Sequence, residues 1–190
     1  MHRFTALLTV VIVFAVAIGS AQQSSSGGPY KILKRANVGG EGNWDYIYAD
    51  VAGRRLYIPR RGGLAPTGAT AVPTRLTIFN LDTLEPAGEI AGIGGNGTAV
   101  DPKSGHGFTS SKPVTMFDTK AMTLIKTIDV GDAQPDGIYF DSFNERVYVF
   151  SHPTKDATVI DAKDGAVLGR IDLGGVPEQG VSDGKGTLYV

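Results

Sequence analysis

No cysteine occurs among the 190 residues. Thiolate metal sites, cysteine nucleophiles and disulfide staples are therefore excluded, and stability has to come from packing. Histidine is nearly as scarce, at three, and Trp44 is the single tryptophan. Net charge is also lacking. With Arg3 assigned to a leader, 17 basic residues face 19 acidic ones, which offers nucleic acid no broad electrostatic attraction. Beyond the first twenty residues, no apolar run approaches the ~20 residues of a membrane span. No segment shows the 3.6-residue apolar period of an amphipathic helix.

What is present begins with an export signal. His2 and Arg3 make a short basic start, residues 6–18 form an apolar run, and Gly19-Ser20-Ala21 supplies small residues at a signal-peptidase spacing. Residues 1–21 thus read as a signal peptide cleaved after Ala21, giving a periplasmic or secreted protein with no membrane span after removal of the signal. Residues 22–29, rich in Gln, Ser and Gly, read as a flexible leader.

From residue 30 onward, short apolar runs alternate with Gly, Asp, Asn and Pro turns, an all-β pattern. The pattern repeats. Asp50, Asp101, Asp141 and Asp183 each close an apolar run and open a turn, at separations of 51, 40 and 42 residues. Thr77-Ile78-Phe79-Asn80, Thr115-Met116-Phe117-Asp118 and Thr158-Val159-Ile160-Asp161 form a second ladder, and Gly97, Gly137 and Gly180 a third. Four strands in every ~40–45 residues is the signature of β-propeller blades.

The clearest unit places strands at 137–140, 146–150, 157–161 and 167–173, so blade 1 is expected at 44–95, blade 2 at 96–134, blade 3 at 135–176 and the start of blade 4 at 177–190. Residues 31–38 read as the outer strand that closes the ring. About three and a half blades would leave sheet faces uncovered, so the partial propeller at 30–190 is expected to be the N-terminal fragment of a longer one. The repeated Asp residues read as structural, because a carboxylate at the first turn position accepts backbone N–H groups.

Pro135-Asp136-Gly137, then Val147-Tyr148-Val149-Phe150-Ser151, then Thr158-Val159-Ile160-Asp161, resembles the unit of the YVTN-type β-propeller repeat family, the YncE-like exported bacterial proteins. Leu56-Tyr57-Ile58-Pro59 and Leu188-Tyr189-Val190 match it more loosely, and Gly107-Phe108-Thr109-Ser110 is a distant version. The resemblance covers residues 31–190. It implies a ring of seven blades, monomeric when complete, and admits single-stranded DNA as a partner. It implies little about activity, because propellers host binders, lactonases and redox enzymes alike.

No assembled acid, base or nucleophile is visible, so no catalytic residue is assigned. Gly92-x-Gly94-x-x-Gly97 fits a dinucleotide fingerprint by letters but is followed by a strand and turn, Thr98-Ala99-Val100-Asp101-Pro102, where that motif needs a helix. These glycines read as turn residues between blades. His106 and His152 have no metal-ligand partner at a fixed spacing, and Ser151, His152 and Asp156 are too close in sequence to converge as a triad.

Propeller topology is more informative. The loops entering the innermost strands and those joining strands two and three share one rim around the channel. They carry Trp44, Asp45, Asn96, Asp136, His152, Glu178 and Gln179, polar groups suited to a ligand or a divalent cation. The first repeat also holds an insertion between its second and third strands, bounded by Arg60, Arg61 and Arg75, whose guanidinium groups suit a carboxylate, a phosphate or an acidic partner surface. The primary expectation is a non-enzymatic propeller binding a protein, small molecule or single-stranded DNA on its rim. A lactonase or other hydrolase using a divalent cation is the alternative, and a quinone-dependent oxidoreductase ranks third. No cofactor signature is visible, and a divalent cation is the one candidate.

Overall fold

The computed structural model describes residues 28–63 and 72–190; the expected signal peptide and all but the last residues of the expected leader lie outside them. The chain divides into two units, residues 1–35 and 36–190. In the first, residues 28–35 are exposed and form no strand.

The second unit is built of antiparallel strands. The first sheet contains β1 (Tyr48–Asp50), β2 (Arg55–Arg60), β3 (Arg75–Asn80) and β4 (Pro86–Ala91). The second contains β5 (Thr98–Asp101), β6 (His106–Thr109), β7 (Val114–Asp118) and β8 (Thr123–Ile128). The third contains β9 (Pro135–Asp141), β10 (Arg146–Ser151), β11 (Asp156–Asp161) and β12 (Val167–Asp172), and β13 (Val181–Ser182) and β14 (Leu188–Tyr189) follow as a hairpin. Each of the three larger sheets is a four-stranded meander in chain order. β4, β8 and β12 are the outer strands of the three sheets.

Local chemistry explains why the meander repeats. Asp50 accepts a bond from Gly53 N at 2.8 Å, Asp101 from Lys103 N at 2.9 Å, and Asp141 from Phe143 N at 3.1 Å. All three are buried, so the carboxylates cap the turns from inside, as expected. Asn80, Asp118 and Asp161 do the same between the third and fourth strands. The residue before the second strand is left-handed in each sheet: Arg54 at φ 53°, Gly105 at 77° and Glu145 at 58°. Only one of the three is glycine, so the other two hold a conformation that costs roughly 1–2 kcal/mol in an L-residue.

Packing runs between sheets. Tyr57, Leu76, Ile78, Ile90 and Ile93 of the first repeat meet Val100 and Phe117 of the second. Phe108, Val114, Met116 and Ile128 meet Ile138, Val147, Val149 and Ile160 of the third, whose far face packs Tyr148 and Phe150 near Leu188. Middle strands are buried on both faces and the outer strands β8 and β12 are almost wholly exposed, as a sheet sandwiched between two others requires. The innermost strands stand side by side, β1 against β5, β5 against β9 and β9 against β13.

Antiparallel pairing sets the position of the candidate site. Thr98 pairs with Thr109 and Pro135 with Ser151. The start of each innermost strand therefore lies beside the end of its neighbour, and the entry loops share one rim with the turns that follow β2, β6 and β10.

Candidate rim site

Asp136 is the second residue of β9, His152 immediately follows β10, and Glu178 lies in the segment entering β13. His152 Nε2 is 2.9 Å from Asp136 Oδ2 and 3.4 Å from Glu178 Oε2. One ligand atom from each residue falls within 4.8 Å of the others. Sequence spacing gave His152 no partner; the tertiary structure brings these two carboxylates to it, because β10 and the entry loops of two successive repeats end on the same rim.

Two more residues complete the arrangement. Asn96 Nδ2 donates to Asp136 Oδ1 at 2.8 Å and to Pro135 O at 3.1 Å, while its own Oδ1 is buried without a partner. Tyr46 Oη lies 3.4 Å from Asp136 Oδ2 and 3.3 Å from Glu178 Oε2. Burial, with Asp136, Asp45 and Glu178 adding to it, pushes the Tyr46 phenol up to about 12. Asp136 is also raised, first by burial and then by Asp45 and Glu178, against the lowering effects of His152 and Asn96. Among the described residues, neither Asp136 nor Glu178 forms an ion pair with Lys or Arg.

Tyr46 was absent from the candidate residues. Gly97 and Gly137 each stand four residues before their turn Asp, and Tyr46 stands four before Asp50. The first repeat thus breaks the glycine ladder at the residue whose side chain reaches across to the third and fourth repeats. The glycines serve close approach. A Cβ on Gly137 would lie 2.2 Å from the carbonyl oxygen of Glu178, and one on Gly180 would lie 2.6 Å from the Phe150 ring. Gly137 therefore seats the segment that carries Glu178.

The remaining candidates divide. Gln179 Oε1 accepts from Gly180 N within its own segment at 3.2 Å. Asp45 is exposed and acts on the cluster through its charge. The arginines separate from the site and from one another. Arg60, expected on the rim, is 1% exposed. Its Nη2 donates to Gly39 O at 2.5 Å, its Nε to Thr77 Oγ1 at 3.4 Å, and its guanidinium lies 5.3 Å from the centre of the Trp44 ring. Segment 39–44 folds over Arg60, whose guanidinium faces the Trp44 ring, itself half exposed. Arg75 bonds Glu41 O, Pro73 O and Glu89. Arg61 alone is exposed. Residues 64–71 of the insertion lie outside the described residues; its base is a ladder in which Gly63 and Val72 exchange backbone bonds.

Arg61 lines a cleft of about 630 Å³ that abuts the cluster through Asn96 and Pro135. Gly92, Gly94, Gly95, Ser110, Ser111, Lys112 and Gln134 are among its other walls, and among the described residues its charged lining side chains are Arg61 and Lys112. The Gly92–Gly97 motif is a turn wall here, with Gly92 at φ 78° and Gly94 in backbone contact range of Arg60 O. Ser151 accepts from Gln134 N and Thr154 Oγ1, and Asp156 faces Arg170, so Ser151, His152 and Asp156 do not form a triad.

Four-stranded meanders whose innermost strands stand side by side are propeller blades, and the chain is an all-β protein of that class. Its architecture is similar to a solved chain of Kuenenia stuttgartiensis hydrazine synthase. The identity is 23%, over 75% of this chain and 40% of that one, with a TM-score of 0.59. It is also similar to the U3-55K structure, at 8% identity over 66% of this chain and 38% of that one, TM-score 0.51. At these identities the likeness concerns the fold alone, and the chain spans well under half of either. No family model matches the sequence, and no curated protein matches it.

Proposed function

We propose that this chain belongs to an exported, non-enzymatic propeller of YVTN type that binds an anionic ligand on its rim. The observation that carries the reading is the cleft of about 630 Å³ whose charged lining residues, Arg61 and Lys112, are both cationic. Glycine walls leave backbone groups accessible, and a pocket of this size suits a small organic anion. A single strand of DNA is a weaker fit. Trp44 is engaged with Arg60, and among the described residues the cleft has no aromatic wall on which a base would stack.

The test is calorimetric titration with citrate, inorganic phosphate and a labelled oligothymidine, each at two salt concentrations. Saturable citrate or phosphate binding that is lost in Arg61→Glu and Lys112→Glu supports the reading. Oligothymidine binding that falls steeply with salt would move the ligand to single-stranded DNA. Silence from all three probes rejects a cationic rim site. A second reading, hydrolysis assisted by a divalent cation, is favoured by the approach of Asp136, His152 and Glu178 to one another. Lactone turnover that chelation abolishes would establish it.

A further inference from the structure

We infer that Asp136, His152 and Glu178 form a binding site for a late first-row divalent cation of the zinc type, with Asn96 and Tyr46 as supporting residues. The site adjoins the rim cleft and does not depend on the anion reading above.

The distances favour a small ion. Zinc is bound by imidazole nitrogen at ~2.0–2.1 Å and by carboxylate oxygen at ~2.0–2.2 Å. Tetrahedral geometry at such lengths separates neighbouring ligand atoms by roughly 3.4 Å. His152 Nε2 already lies 2.9 and 3.4 Å from the two carboxylate oxygens, and all three ligand atoms fall within 4.8 Å of one another, so side-chain rotation would draw them into a coordination shell. The donor set decides between ions. One imidazole with two carboxylates suits zinc and its neighbours, whereas calcium takes six to eight oxygens and no nitrogen.

The second observation is how the imidazole faces the acids. His152 Nε2 lies at ion-pair distance from both carboxylates without hydrogen-bond geometry to either, and this atom is shielded from solvent although its side chain is 38% exposed. A metal ion between the three groups would take its lone pair. The carboxylates lack a lysine or arginine counter-ion among the described residues, and Asp45 adds to the negative field. Supporting groups are already in place: Asn96 holds the other oxygen of Asp136, and Tyr46 Oη lies against the inward oxygens of both acids. Outer residues that orient ligands in this way change metal affinity by ~10–100-fold when removed. With three protein donors, a fourth position is left for water or for a donor atom of a ligand entering from the cleft.

The test uses the full chain, stripped with chelator and titrated with Zn²⁺ by calorimetry, and with Co²⁺ by visible absorption. One equivalent of Zn²⁺ should bind, and Co²⁺ should give the intense bands of a tetrahedral site. His152→Ala and Asp136→Asn should each weaken Zn²⁺ at least ~100-fold, and Asn96→Ala ~10–100-fold, with the metal-free melting transitions still cooperative. Arg61→Glu and Lys112→Glu should leave Zn²⁺ affinity unchanged, so failure of the anion reading and failure of this one are told apart. No stoichiometric Zn²⁺ binding, equal affinity in His152→Ala, or binding of Ca²⁺ in preference to Zn²⁺ would each overturn the assignment.

Discussion

Two groups of like charge lie towards the same rim, and the chain treats them in opposite ways. In the first repeat, Arg60 and Arg75 face one another across β2 and β3, a pairing that is unfavourable by itself. Segment 39–44 folds over them, supplying the Gly39 and Glu41 carbonyls and the Trp44 ring. The arginines are consumed by structure. Between the third and fourth repeats, Asp136 and Glu178 converge on His152 with no Lys or Arg partner among the described residues, and Glu178 is 73% exposed at its side chain. Backbone carbonyls take most donors of the two guanidinium groups, leaving Arg60 Nη1 buried without a partner. Converging carboxylates can be satisfied only by donors or by an ion. Charge that the fold leaves unsatisfied is where a ligand has something to contribute.

The most severe way to disturb this contrast is at Arg60. Arg60→Ala removes two hydrogen bonds and the partner of Trp44 from a closed site, and urea unfolding should show a loss of about 3 kcal/mol. Arg60→Met keeps most of the volume while discarding the charge, and should stay within ~1 kcal/mol of the parent. If Arg60→Ala changed stability by less than ~0.5 kcal/mol, the arginine would not be structural and the contrast would collapse.

Gly137→Ala comes next. Its Cβ would meet the Glu178 carbonyl, backbone that cannot swing away, so a loss of about 2 kcal/mol is expected. Zn²⁺ affinity should fall with it, because the segment bearing Glu178 must retreat. Unchanged stability and affinity would show that this segment is not seated by the glycine.

A smaller effect, with a sign set by pH, is expected at Asp136. Its carboxyl is held above the ordinary carboxylate range, chiefly by burial. A group raised in the folded state contributes stability when protonated and loses it as pH rises through the raised value. Asp136→Asn escapes that loss. The metal-free variant should therefore melt above the parent at neutral pH, and its advantage should shrink towards zero below the carboxylate range. Saturating Zn²⁺ should reverse the order, since only the parent keeps all three ligands. An advantage that persisted unchanged at low pH would remove burial of the charge as its cause.

The smallest expected effect is at Glu145, left-handed at φ 58° where the second repeat has Gly105. Glu145→Gly relieves that strain but frees the unfolded chain and removes the ion pair with Lys103. The net gain should be a few tenths of a kcal/mol by the same reasoning, measurable as a small rise in Tm. A clear loss would place the value of this residue in the ion pair.

The amino-acid sequence by itself determined what is local and repeated. Strand positions, the turn carboxylates of Asp50, Asp101 and Asp141, and the blade period were legible because each depends on residues a few positions apart. The rim could be named too, since antiparallel pairing fixes which loops share an end. Tertiary structure alone decided which rim residues meet. Nothing near Arg60 in sequence announced that segment 39–44 would cover it. Nor did spacing reveal that His152 would lie between Asp136 and Glu178, with Tyr46 reaching them from the first repeat. Those contacts join residues up to 132 positions apart. They are set by the close approach of successive entry loops, which the glycines permit and which no local pattern encodes.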